Sequence, residues 1–209
     1  MTSEAITAAA SGTWKIGDLE INRIGFGAMR LTQNGEAFAA DAAPSDRGRA
    51  ISVLRRAVEL GVNHIDTAAF YFSPRRSANE LINRALAPYP DDLVITTKVG
   101  PGRDPSGEWL PHATSQQLRA QLEENLRRVL RSCRSTPSPD ELLAVARAHE
   151  ASAAQVRLAW TLHRGPHVLA IPGTGNPDHL VANVAADTLR LTQDELAVLD
   201  RLHQGGASA

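Results

Sequence analysis

VNHIDTA at residues 62–68 and DDLVITTKVG at residues 91–100 decide the fold. Each holds a short apolar run that ends in a charged residue, Asp66 in the first and Lys98 in the second. Short runs of this kind, bounded by turn residues, predict buried strands. Between them, Ser77 to Leu86 carries a helical pattern. Strand, helix, strand is the βαβ unit, and it predicts a parallel sheet.

The N-terminal flank adds to this unit. TWKIGDLEINRIGFGAMRL (13–31) alternates about a Gly17-Asp18 turn, which predicts a short hairpin leading into a buried strand around Ile24. Residues 32–48 read as a polar loop. From Arg49 the pattern is helical, with Ile51, Leu54 and Val58 on one face and Gly61 at its stop. On the C-terminal flank, Thr114 opens a T-x-x-Q capping box with Leu118, Leu122, Leu126 and Leu130 behind it. RSCRSTP (131–137) then breaks the pattern. Further helix starts follow at Ser138-Pro139-Asp140-Glu141, at Ser152 with Gln155, at Asn176-Pro177 and at Thr192 with Glu195. The second of these helices ends at Gly165-Pro166, and HVLAI (167–171) reads as another buried strand.

About four core strands emerge, near 24, 63–66, 93–98 and 167–171. Between Leu130 and Pro166 there are two helices and no strand. A complete eight-unit barrel takes about 250 residues. The 209 residues here fall short of that, and the shortage sits in the middle. The chain is expected to form a single domain over 1–209, with N-terminal βα units at 13–130, a junction at 131–138 and C-terminal βα units at 139–209.

Composition narrows the functions. Hydrophobic residues make up 43% and charged residues 22%, as in an ordinary globular chain, which excludes a disordered tail or a fibrous repeat. The net charge of −1 gives no field to attract nucleic acid or an anionic membrane. No apolar run is long enough to span a bilayer. MTSEAITAAASG (1–12) lacks the basic and apolar regions of a secretory signal. A single cysteine, Cys133, excludes an internal disulfide framework, and the expected setting is a reducing cytoplasm. The seven histidines show no metal-ligand spacing, so no metal is expected. His64, just before Asp66, packs in the sheet wall or faces outward.

Asp66 and Lys98 end neighbouring strands one βαβ unit apart. Parallel strands lie about 4.8 Å apart, so side chains at matching levels can touch. Catalytic and binding groups of α/β proteins collect at these carboxyl ends. The pair reads equally as a structural ion pair. Tyr71 follows Asp66 by five residues, in the loop past the strand. An ammonium beside a phenol favours the phenolate, and such a tyrosine can deliver a proton to a carbonyl oxygen. The alternative is a loop tyrosine packing its ring. IPGTGNPDHL (171–180) reads either as a phosphate-binding turn at a helix start or as a plain strand-to-helix turn. GFGAMR (25–30) lacks the third glycine of a dinucleotide fingerprint.

Taken in order, RIGFGAMRL (23–31), NHIDTAAFY (63–71), LVITTKVG (93–100) and LEENLRRVL (122–130) resemble the aldo-keto reductases. AAQVRLAWTLHRGPHVLAIPGTGNPDHLVANV (153–184) resembles that family's last cofactor-binding segment. The resemblance implies a TIM-barrel (β/α)8 fold and reduction of aldehydes or ketones, usually with NADPH. It assigns Asp66, Tyr71 and Lys98 to catalysis, with Tyr71 as proton donor and Lys98, paired with Asp66, easing the loss of its proton. It assigns Gly27, Ala28, Ile171, Gly173, Thr174, His179 and Asn183 to cofactor binding, and Met29 to the substrate.

The chain departs from the family after LRRVL, where RSCRSTPS stands in place of the fourth strand and its catalytic histidine. Strands four to seven are absent on this reading. Phe72 stands where a glycine usually follows the tyrosine, and Ala182 where an acid commonly precedes the asparagine. The expected fold is therefore an incomplete barrel, about four parallel strands plus a hairpin, and two copies closing one barrel is the expected assembly. The expected function is NADPH-dependent carbonyl reduction. The alternative is an inactive family remnant that binds a nucleotide or a protein partner. A Schiff-base enzyme built on Lys98 is disfavoured, because Asp66 would hold the amine protonated.

Overall fold

The computed structural model describes residues 6–35, 38, 42–98, 100–104, 106, 108–110, 114–120 and 140–205. In chain order the elements are β1 (Thr13–Ile16), β2 (Leu19–Asn22), β3 (Phe26–Gly27), α1 (Arg47–Glu59), β4 (His64–Asp66), β5 (Phe72–Ser73), β6 (Arg76–Ser77), α2 (Ala78–Leu86), β7 (Val94–Thr96), β8 (Gly102–Arg103), β9 (Trp109–Leu110), α3 (Asp140–Ala148), α4 (Ala153–His163), α5 (Pro177–Val184) and α6 (Gln193–Gly205). Short 3-10 turns occupy Ala8–Ser11, Ala28–Leu31 and Ala185–Thr188.

The expected hairpin forms as β1 and β2, antiparallel about Gly17 at φ +64°. A glycine at the first turn position supplies the positive φ that a tight hairpin needs. The hairpin docks at the N-terminal ends of the core strands. Asn22 N donates to Asn63 Oδ1 at 2.8 Å and Asn22 Nδ2 to Gly61 O at 2.6 Å.

The core sheet runs β3-β4-β7, all parallel. Phe26 pairs with Ile65 and Gly27 with Asp66, while Asp66 also pairs with Thr96. The strand expected at 167–171 shrinks to one parallel bridge, Ile24 to Ala170. Gly25 N donates to Ala170 O and Ala170 N to Arg23 O, both at 2.8 Å, and Gly27 N donates to Pro172 O at 3.2 Å. The ladder stops because residue 172 must be the next donor toward β3, and a proline has no N–H. The strand positions therefore run 170-β3-β4-β7, and the sheet does not close among the described residues.

Helix α1 begins one turn's edge earlier than the pattern from Arg49 implies. Asp46 caps it by accepting from Arg49 N at 2.6 Å. Its buried face is Ala50, Val53, Leu54 and Ala57, with Ile51 and Val58 half-buried on the flanks. The expected stripe of Ile51, Leu54 and Val58 is thus rotated, because two alanines let the helix backbone approach the sheet. Gly61, at φ +79°, stops the turn after α1, and a Cβ there would lie 2.7 Å from Thr7 Oγ1. Helix α2 buries Leu81, Ile82, Ala85 and Leu86 beside α1.

The capping boxes form as expected. Gln117 N donates to Thr114 Oγ1 at 3.2 Å, Gln155 N to Ser152 Oγ at 3.2 Å, and Glu195 N to Thr192 Oγ1 at 3.3 Å. The junction 131–138 and Leu122, Leu126 and Leu130 lie outside the described residues.

The main core gathers Ile24, Phe26, Leu54, Ile65, Leu81 and Ile82 together with Leu162, Ala170, Leu180 and Val184 from the C-terminal part. Arg23 fastens the two parts, donating through Nη2 to Gly165 O at 2.8 Å and to Leu162 O. A second apolar cluster joins α3, α4 and α6 through Leu142, Val145, Val156 and Leu199. Among the described residues no helix is long and apolar enough to cross a membrane.

Candidate active site

Two charged groups and a phenol meet at the carboxyl end of the sheet. Asp66 is the last residue of β4, and Lys98 follows β7 by two residues. Lys98 Nζ lies 3.3 Å from Asp66 Oδ1, with the two side chains only 17% and 13% exposed. Lys98 Nζ also stands 5.4 Å from the centroid of the Tyr71 ring. The three residues proposed as catalytic therefore converge. Gly27 pairs with Asp66 on the other side, so no side chain crowds the carboxylate there.

Tyr71 is held by its backbone. Its N–H donates to Ala68 O at 3.0 Å and its carbonyl accepts from Ala78 N at 2.9 Å. The ring is 1% exposed, packed edge-on to Phe70 at 5.1 Å and tilted against Phe38 at 5.8 Å. The start of α2 thus fixes the tyrosine loop to the strand that ends in Asp66. Asn79 adds a buried tie, accepting from Thr67 Oγ1 at 3.0 Å.

His64 shares a strand face with Asp66, because residues two apart on a strand point the same way. It takes the inward alternative of the sequence reading and is 5% exposed. Its Nε2 lies 3.3 Å from Thr96 Oγ1. Burial lowers its pKa to about 4, so the imidazole beneath the ion pair is neutral near pH 7.

The segments expected to hold a cofactor are brought against the first strand end. A Cβ on Gly173 would sit 2.5 Å from Gly27 O, and one on Gly27 would sit 2.7 Å from Ile171 O. Both glycines are thus required by close backbone approach of the two segments. Thr174 is buried, and its Oγ1 accepts from Asn176 N at 3.0 Å. Asn176 caps α5 by accepting from Asp178 N at 3.0 Å. Ala28 and Met29 are buried in the 3-10 turn after β3, with Met29 7% exposed. Ile171 is half-buried beside them. His179 is exposed on the first turn of α5, and Asn183 is buried on its last. These two lie on the helix that follows the turn and do not share the cluster of Asp66, Tyr71 and Lys98.

Two features escaped the sequence reading. Five of the nine aromatic residues, Phe38, Phe70, Tyr71, Phe72 and Trp109, form one cluster with Arg103. The Arg103 guanidinium stacks at 4.8 Å on Phe72 and 5.0 Å on Phe38, and Nη1 donates to Phe72 O at 2.9 Å. The signal was the run Phe70-Tyr71-Phe72 in a loop. The second feature is Arg30. Segment 172–185 contains no lysine or arginine. Arg30 O lies 3.4 Å from where a Cβ of Gly175 would sit, so the Arg30 backbone lies against that turn, while its guanidinium donates through Nη1 to Gly35 O at 2.5 Å.

The family model for the aldo/keto reductases matches residues 23–133 and 134–204. This chain belongs to the aldo/keto reductase family. The match breaks into two pieces that abut at Cys133 and Arg134, within the expected junction. The chain is similar to a pyridoxine 4-dehydrogenase of Escherichia coli, 29% identical over 286 aligned residues that span 91% of this chain and 98% of the relative. It is also 28% identical to an uncharacterized oxidoreductase of Schizosaccharomyces pombe, over 95% of this chain and 92% of the relative. An alignment of 286 positions exceeds the 209 residues here, so the relative carries internal residues with no counterpart in this chain.

Among solved structures, the aldo-keto reductase Tm1743 in complex with the inhibitor epalrestat superposes with a TM-score of 0.63, at 21% identity over 91% of this chain and 99% of the other. An aldo-keto reductase of Klebsiella pneumoniae in complex with NADPH gives a TM-score of 0.58, at 20% identity over 88% of this chain and 91% of the other. These likenesses show the fold: this aldo/keto reductase keeps parallel βα units of the barrel, and among the described residues they do not close it.

Proposed function

We propose that this aldo/keto reductase is an NADPH-dependent carbonyl reductase with Tyr71 as its proton donor. One observation carries the reading. The Lys98 ammonium, 3.3 Å from the Asp66 carboxylate, stands 5.4 Å from the Tyr71 ring in a largely buried site.

When bound, NADPH supplies a hydride to the carbonyl carbon of an aldehyde or ketone. Tyr71 gives its phenolic proton to the carbonyl oxygen as negative charge develops there. Lys98 stabilises the phenolate that remains, at short range and in a site of low polarity. Asp66 holds the ammonium in place and balances its charge. The residues that would hold the cofactor are Gly27, Ala28, Ile171, Gly173, Thr174, His179 and Asn183, with Met29 beneath the substrate. Arg30, whose backbone lies against the turn at Gly175, would meet a 2′-phosphate by swinging its guanidinium from Gly35 O. Family structures bearing NADPH and NADP support the choice of cofactor. The small-molecule partner is a carbonyl compound, and the single cysteine fits a reducing, cytoplasmic setting.

The test is NADPH oxidation with a panel of simple aldehydes, for the natural chain and for Tyr71→Phe. Turnover that the variant loses supports the reading. Undiminished turnover in Tyr71→Phe removes Tyr71 from its role. The interruption at Cys133 and Arg134 favours a second reading, a remnant that binds nucleotide without reaction. NADPH binding by fluorescence titration with no turnover of any aldehyde establishes that one.

A further inference from the structure

We propose that a second copy of this chain completes the barrel, the outer edge of β7 in one copy pairing with the partner's segment 168–172, and the reverse. The claim goes beyond the proposed activity and does not depend on turnover.

The sheet order supplies the first argument. The strand positions run 170-β3-β4-β7, all parallel, so the two edges are of one kind and point the same way. On β7 the groups facing β4 belong to Val94 and Thr96: Val94 N donates to Asn63 O at 2.8 Å, and Thr67 N donates to Thr96 O at 3.4 Å. Parallel strands turn alternate residues to opposite sides, so the Ile95 amide and carbonyl face outward. At the other edge Ala170 faces β3, which turns Leu169 and Ile171 outward. Ile95, Leu169 and Ile171 are each half-buried, less enclosed than the fully buried Ile65 of the central strand. Among the described residues neither edge is paired, and an open sheet edge of this kind is a template for another chain.

The second argument is the apolar hairpin. Trp14, Ile16 and Leu19 are 39%, 42% and 52% exposed. The hairpin sits at the N-terminal ends of β3 and β4, bonded through Asn22 and Asn63. In a closed barrel that end has eight strands to cover, and the described residues supply four strand positions. An exposed apolar group beside an open edge marks an association surface.

The third argument selects the occupant. The family match has its break between β7 and α3, and the pyridoxine 4-dehydrogenase relative carries internal residues with no counterpart here. Four strand positions from each of two copies make the eight of a closed barrel, related by a two-fold axis along its centre. That closure satisfies both edges of both copies at once. It also bears on the site. The partner's segment 171–174 arrives beside Lys98, in the place that the next strand would take, so each site would be bordered by residues of both chains.

Two measurements test this. Light scattering at tens of micromolar should give twice the chain mass of 22.4 kDa. Thr97→Cys and Leu169→Cys, each in a Cys133→Ser background, should then be co-expressed and treated with a short bismaleimide. Within one chain these edges are three strand spacings apart, roughly 14 Å. Cross-linking of the co-expressed pair, with little for either variant alone, supports the closed barrel. A monomer overturns the proposal. So does a dimer whose mixed variants fail to cross-link, because that dimer uses another face.

Discussion

Asp66 and Gly27 stand opposite each other in the parallel register of β4 and β3. The carboxylate therefore has a bare backbone on one side and Lys98 on the other. This arrangement opens the mouth of the sheet toward the turn at Gly173 while keeping the ion pair sheltered.

Tyr71→Phe should keep the fold, since the ring packing against Phe70 and Phe38 is unchanged. Loss of a positioned proton donor should lower carbonyl reduction by about 10²–10⁴-fold. NADPH binding should be retained. Steady-state rates beside a fluorescence titration check both halves of this expectation.

Breaking the ion pair from one side should cost stability as well as rate. Asp66→Asn removes the carboxylate facing the Lys98 ammonium in a site where the lysine side chain is 17% exposed. Loss of one partner from a well-buried pair costs about 3–5 kcal/mol, so the partly sheltered pair here should lie at or below that range. The double variant Asp66→Leu, Lys98→Met should be less destabilised than Asp66→Asn. Urea unfolding of the three chains decides it, and equal losses would mean the charges are not coupled.

Acid should destabilise the fold through His64. Its folded pKa of about 4 lies below the ordinary histidine value of 6.5. The unfolded chain binds this proton first as pH falls, so the stabilisation is fully present above pH 6.5 and is lost toward pH 4. The window corresponds to on the order of 3 kcal/mol. His64→Gln should flatten that part of the stability curve, measured by urea unfolding between pH 7.5 and 4.5. An unchanged slope would assign the acid response elsewhere.

Gly173→Ala should separate the two segments at the mouth. The added Cβ would meet Gly27 O at 2.5 Å, a backbone atom that cannot swing away. Forced overpacking costs about 1–3 kcal/mol. Gly175→Ala, whose Cβ would lie 3.4 Å from Arg30 O, should be milder. Thermal melts of the two variants rank them, and a reversed order would contradict this packing.

Arg30→Ala should weaken NADPH more than NADH, because only the former carries the 2′-phosphate. Equal weakening in parallel titrations would show that Arg30 supports the turn and does not select the phosphate.

Much of this architecture is legible in the sequence. The βαβ reading rests on short apolar runs at 62–68 and 91–100, and both form strands, β4 fully buried as expected and β7 only half-buried, because it stands at the edge of the described sheet. The capping boxes at Thr114, Ser152 and Thr192 are local, made by side chains three residues apart, so sequence suffices to find them. The convergence of Asp66 and Lys98 followed from strand spacing. The shortened strand at Ala170 was harder to read, because its length depends on where Pro172 falls relative to a neighbouring strand. The rotated face of α1 was hidden too, since a count of large side chains overlooks the alanines that set the approach distance.

By itself the sequence determined the alternation of elements, the charged strand ends and the missing middle, because each is written in residues close together along the chain. Tertiary structure alone decided that Tyr71 lies beside Lys98, that Arg103 lies over the rings of Phe38, Phe72 and Trp109, and that Gly27 must touch Gly173. Those contacts join residues far apart in the chain, and only packing in three dimensions fixes which of them meet.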